Sequence, residues 1–132
     1  MYGFVEPKTG KTHWYLIRRV NTQWLNVVLK TFAAFEEATA EKIILLVQDI
    51  AGWHGSAKVQ VPTGIFGEFL PPYSPELQPT ERLWILVDSP LVNQHFESID
   101  QLEEVVAKRC CVLQEMREEI KKPTNYHWLN YP

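Results

Sequence analysis

The sequence predicts an α/β fold in which a mixed sheet is flanked by helices. Three observations carry that reading. Ile43-Ile44-Leu45-Leu46-Val47 is an unbroken apolar run without alternation, the pattern of a strand covered on both faces within a largely parallel sheet. Two shorter β-forming runs at the start of the chain flank a Pro- and Gly-containing turn, which predicts an antiparallel hairpin. An amphipathic helix separates the hairpin from the buried run, and a strand-helix-strand order of this kind is a crossover connection.

Each element follows from local chemistry. Tyr2 to Val5 forms the first strand, Glu6-Pro7-Lys8-Thr9-Gly10-Lys11 a six-residue loop, and Thr12 to Arg19 the second strand with Trp14, Tyr15 and Ile17 as β-formers. The outer strand of such a hairpin is an edge that invites pairing. Asn21 or Thr22 caps the helix that follows. Its stripe is Trp24, Leu25, Val28, Leu29, Phe32 and Phe35, at three- and four-residue spacing. Glu36, Glu37 and Glu41 lie at the end of the helix dipole that does not favour acids, which reads as solvated surface.

The apolar strand runs to Asp49. Beyond it, Ile50 to Ser56 is a small-residue turn that leads into a short, weak helix through Val59, and Pro62-Thr63-Gly64 turns the chain into a further strand, Ile65 to Leu70. Pro71-Pro72-Tyr73-Ser74-Pro75 is stiff and extended. A helix restarts there with Pro79 in its first turn, which places Glu81 at or just beyond that turn. Ser98 with Gln101 forms a capping-box pattern. Leu102, Val105, Val106, Cys110, Leu113, Met116 and Ile120 then stripe one face of a long helix that Pro123 ends. The tail from Thr124 to Pro132 is aromatic and polar and suits packing onto the body or a partner.

Composition bounds the function classes. The chain has 132 residues, 45% hydrophobic and 22% charged, with a net charge of −3. That is a single globular domain with one core. The balance argues against strong non-specific DNA binding through clustered cations, while leaving room for a local basic groove. No run is long enough to span a membrane and the N-terminus has no secretory pattern. The two cysteines, Cys110 and Cys111, are neighbours on a helix and point in different directions. They suit neither a mutual disulfide nor a zinc site, and a reducing cytoplasm fits.

Two carboxylates stand out. Asp49 ends the apolar strand, and the carboxyl ends of strands form the ligand crevice of open α/β sheets. The same residue also suits a loop cap. Glu81 opens a helix, where acids are common for reasons of the dipole alone. The connection between them brings the helix start back toward the same sheet edge. Two carboxylates there can hold Mg²⁺, a hard cation that takes oxygen ligands. Phosphoryl-transfer sites of this type use metal ions to clamp the attacking and leaving oxygens.

Two blocks carry a resemblance. Leu46-Val47-Gln48-Asp49-Ile50-Ala51-Gly52-Trp53-His54 and Phe69-Leu70-Pro71-Pro72-Tyr73-Ser74-Pro75-Glu76-Leu77-Gln78-Pro79-Thr80-Glu81-Arg82-Leu83-Trp84 resemble the catalytic blocks of mariner-related bacterial insertion-sequence transposases, which are DDE superfamily endonucleases. The opening Tyr2 to Gly10 and the closing Thr124 to Trp128 are also similar, so the resemblance covers nearly the whole chain. It implies a ribonuclease-H-like fold, Mg²⁺ or Mn²⁺, and a triad of acids in which Asp49 matches the second and Glu81 the third. Both would be catalytic and metal-ligating. DNA, as transposon ends and target, is the implied substrate, and a second copy of the chain is an implied partner.

Neighbouring residues are weighed against that site. His54 suits a hydrogen-bonding place beside it better than a ligand place, because Mg²⁺ prefers oxygen. Trp53 and Trp84 read as core. Lys58 and Arg82 are candidate contacts to DNA phosphates, although single surface cations often mark nothing specific.

The chain also departs from the family pattern. The family's first Asp lies on the first strand of the fold, upstream of the hairpin, and nothing here replaces it: Glu6 is in the hairpin turn, and Asp88 and Asp100 follow the third acid. The family's N-terminal helix-turn-helix region is absent as well. The expectation is an N-terminally truncated catalytic domain over residues 1–132, lacking the first strand and unable to cleave DNA alone. An upstream transposase fragment is then an expected partner. The alternative is an inactive remnant that acts only as a folded oligomerisation or protein-interaction domain.

Overall fold

A four-residue turn sets the first element. In the computed structural model, which describes residues 1–18, 21–48, 58–71 and 75–126, strand β1 (Tyr2–Glu6) pairs antiparallel with β2 (Lys11–Tyr15). The loop is shorter than the six residues expected from the sequence, because Glu6 and Lys11 form the last rung of the ladder, where opposite charges across a pair are favourable. The amides of Thr9 and Gly10 both donate to the Glu6 carbonyl. Gly10 has φ +77°, and a Cβ there would lie 2.0 Å from the Arg117 carbonyl oxygen. Only glycine takes that conformation and that approach at low cost.

Helix α1 (Thr22–Phe35) starts as its sequence indicates, with the Asn21 side chain accepting from the Trp24 amide at 2.9 Å. Leu25, Val28, Leu29, Phe32 and Ala33 are buried, while the two ends of the expected stripe, Trp24 and Phe35, are exposed. Strand β3 (Ile44–Gln48) pairs parallel with β4 (Ile65–Phe69), Ile44 opposite Ile65 and Gln48 opposite Phe69. The expectation that the apolar run is covered on both faces is not met. Burial alternates along β3, and Leu45 is 65% exposed. A single mixed sheet is not formed among the described residues either. They make two two-stranded sheets, β1-β2 and β3-β4.

Helix α2 spans Glu81–Asp88, α3 Ile99–Glu115 and α4 Arg117–Thr124, with short 3₁₀ turns at Pro75–Leu77 and Ser89–Leu91. Ser98 caps α3 by accepting from the Gln101 amide, and the Gln101 side chain accepts from Glu97 in return. This is the expected capping pattern reaching one residue further back. The long helix expected up to Pro123 is broken at Met116, whose backbone leaves the helical region. Pro123 then sits inside α4 rather than after it.

The chain divides into two compact units, Met1–Leu16 with Pro79–Pro132, and Ile17–Gln78. The first is closed by Leu83, Val87, Leu113 and Ile120, packed on by Val5, Trp14, Trp84, Leu86, Val106 and Met116. Burying an aliphatic side chain of this size is worth about 1.5–3 kcal/mol. The second is built on α1 and the parallel pair. No helix among the described residues is long and apolar enough to cross a membrane.

Candidate functional site

Glu81 is the first residue of α2. The chain enters the helix through Pro79 and Thr80: the Arg82 amide donates to the Pro79 carbonyl at 3.0 Å and the Leu83 amide to the Thr80 carbonyl at 2.9 Å. These three-residue turns satisfy early donors that an α-helix leaves open, and Thr80 makes no side-chain cap. Pro79 therefore precedes the helix instead of lying in its first turn. A carboxylate at this end is favoured by the helix dipole. The Glu81 side chain is partly exposed, and no hydrogen bond or ion pair engages it among the described residues.

The helix that carries Glu81 is held from behind. Leu83 is 0% and Val87 1% exposed. Trp84 meets Trp14 edge-on, with ring centroids 6.2 Å apart, and passes close over Gly3, where a Cβ would lie 3.2 Å from the indole. Trp84 is thus part of the packing, as expected. Arg82 is exposed, and its Nε donates to the Tyr126 hydroxyl at a long 3.4 Å. At the other end of α2, the Arg109 Nε donates to the Leu86 carbonyl at 2.9 Å.

The strand leading to Asp49 is described as far as Gln48, whose carbonyl accepts from the Leu70 amide at 2.9 Å. Asp49, Trp53 and His54 lie outside the described residues, and so does the expected pairing of Asp49 with Glu81. Asn26 of α1 holds the backbone at Lys58 and Gln60. Its amide nitrogen donates to the Lys58 carbonyl at 3.1 Å, and its amide oxygen accepts from the Gln60 amide at 2.7 Å. Lys58 itself is exposed.

Among the described residues no group of three or more His, Cys, Asp or Glu side chains could hold a metal. Glu81 supplies one uncommitted oxygen donor of the kind a hard cation takes. It fits as one ligand and is not a site alone. A cleft of about 360 Å³ opens among Ala40, Ile43, Pro62, Thr63, Gly64, Ile65 and Phe66. Its lining carries no titratable side chain.

Sequence reasoning missed Arg109 and Asn26. Their partners lie 23 and more than 30 residues away, and no periodic or capping pattern signals such a bond. One signal for Arg109 was present: Pro90, four residues after Leu86, has no N–H to give the Leu86 carbonyl.

Comparison with known proteins assigns the chain. Residues 1–103 match the DDE superfamily endonuclease family, a span that contains both Asp49 and Glu81. Uncharacterized protein y4pE/y4sA of Sinorhizobium fredii (strain NBRC 101917 / NGR234) is 32% identical over 112 residues, which cover 84% of this chain and 78% of that protein. No solved structure matches. On the family match and this relative together, the chain belongs to the DDE superfamily endonucleases.

Proposed function

We propose that this chain is the catalytic part of a transposase that cuts and joins DNA strands, built on a ribonuclease-H-like plan. Asp49 and Glu81 would hold Mg²⁺ or Mn²⁺ between them. The observation that carries this reading is the setting of Glu81: a partly exposed carboxylate, engaged by no side chain among the described residues, on the first residue of a helix whose opposite face, Leu83 and Val87, is buried. Rigid placement of an acid by a packed helix is what a metal-dependent site requires, since positioning dominates such catalysis.

The bound ion would supply charge neutralisation at the phosphate and a more acidic water. The residues of this chain would do the rest. Asp49 and Glu81 fix where the ion and the scissile phosphate meet. Water oxygen bonds to phosphorus, the bond from phosphorus to the 3′ oxygen breaks, and the departing oxygen takes a proton to become a 3′-hydroxyl. In strand transfer that hydroxyl attacks a target phosphodiester in the same way, exchanging one P–O bond for another. Lys58 and Arg82, both exposed, are the proposed phosphate contacts, and His54 a hydrogen-bonding neighbour. The family pattern uses three acids, and residues 1–132 offer two. The first acid of that pattern is proposed to come from another polypeptide segment, with which strand cleavage becomes complete.

Calorimetric titration with Mn²⁺ tests the assignment. The chain should bind weakly, on the order of 10⁻³ M as expected for few carboxylates, and both Asp49→Asn and Glu81→Gln should abolish binding. Unchanged isotherms in either variant would refute the shared site. The chain alone should leave a supercoiled plasmid uncut in Mg²⁺. Nicking that Asp49→Ala abolishes would show that no third acid is needed.

A further inference from the structure

We infer that Arg109 is a positioning residue for Glu81: it replaces a backbone donor that Pro90 removes and so fixes the helix carrying the acid. This rests on the proposed role of Glu81. Helix α2 has only eight residues, and its last turn has no basic residue of its own. Two turns are too few to be stable in isolation, so the direction of Glu81 depends on how α2 is tied down.

The carbonyls of the last turn show how. The Ser89 amide donates to the Ile85 carbonyl, and the Val92 amide donates to the Asp88 carbonyl at 3.1 Å. The Leu86 carbonyl would ordinarily take the amide four residues on, which is Pro90 and has none. The Arg109 Nε, reaching across from α3, fills that place at 2.9 Å in a partly buried setting. A cation at the C-terminal end of a helix also suits its dipole. A charge-assisted bond there is stronger than the amide bond it replaces. Leu86 lies five residues from Glu81, about 7.5 Å along the axis. A tilt at one end of so short a helix moves the other.

The test uses the whole ¹⁵N-labelled chain with two readouts: amide hydrogen exchange across α2, and Mn²⁺-induced broadening of the Glu81, Arg82 and Leu83 amides. Arg109→Met keeps the aliphatic stem and removes the donor. It should speed exchange in α2 about tenfold, as for loss of one charged hydrogen bond, and raise several-fold the Mn²⁺ needed for half-broadening. Arg109→Lys should recover much of both. Pro90→Ala in the Arg109→Met background restores an N–H opposite the Leu86 carbonyl and should also recover both. Wild-type behaviour of Arg109→Met would overturn the inference. So would a misfolded Arg109→Met that neither Pro90→Ala nor Arg109→Lys rescues, since the arginine would then act through packing alone. If the wild-type chain shows no broadening at Glu81, the metal assignment fails, while hydrogen exchange still decides the role of Arg109.

Discussion

The two units of this chain are built to different standards of closure. Around α2, Leu83, Leu113 and Ile120 are each 0% exposed and Val87 is 1%, so Glu81 stands on a core with no slack. Around β3 the parallel pair has one bare face: Ile43, Leu45, Val47 and Phe66 are all exposed. Parallel strands are ordinarily covered on both sides. Of the two proposed ligands, one is thus carried by a closed unit, and the other follows a strand whose outer face is open. The lesson is that closure is uneven along the chain: Glu81 stands on a helix seated on enclosed side chains, whereas β3 lacks that cover.

The contrast can be broken at single residues. The largest effect is expected at Leu83→Ala, which should cost about 2–5 kcal/mol because a fully enclosed side chain leaves a cavity; urea unfolding measures it. Gly10→Ala should follow, on the order of 1–3 kcal/mol, from its positive φ and the blocked approach to Arg117. A smaller signal comes from Cys110, whose thiol burial pushes up to about 11, with the neighbouring Cys111 adding and Arg109 opposing. Its folded pKa lies above the unfolded value, so this contribution to stability is full below about pH 9 and is lost as pH rises toward 11. Cys110→Ala should flatten that part of the stability profile. The smallest change is expected at Leu45→Ala, within roughly 0.5 kcal/mol as for a solvated site. A loss there as large as at Leu83 would show that β3 is covered in solution and would remove the contrast.

Much of the fold was legible because its signals are local. The Asn21 and Ser98 caps, the hairpin turn and the helix start near Glu81 each follow from a few adjacent residues. What the sequence misstated was coverage. An apolar run such as Ile43 to Val47 reports the hydrophobicity of its side chains, not how many layers exist to bury them. Helix breaks were also hidden: Met116 carries no breaker signature, and Pro123 is tolerated one residue before the end of α4, where the Thr124 hydroxyl donates to the Ile120 carbonyl. Of the candidate site, the position of Glu81 could be read and its fastening could not. Arg109 meets Leu86 only once α3 has folded back on α2.

The central claim is that Asp49 and Glu81 share a divalent ion. A crystal of the chain grown with Mn²⁺ tests it most directly through the anomalous signal of the metal. The expected result is one ion within about 2.0–2.3 Å of a carboxylate oxygen from each residue, the range for hard cations on oxygen. An ion bound to only one of the two, or to neither, would contradict the account.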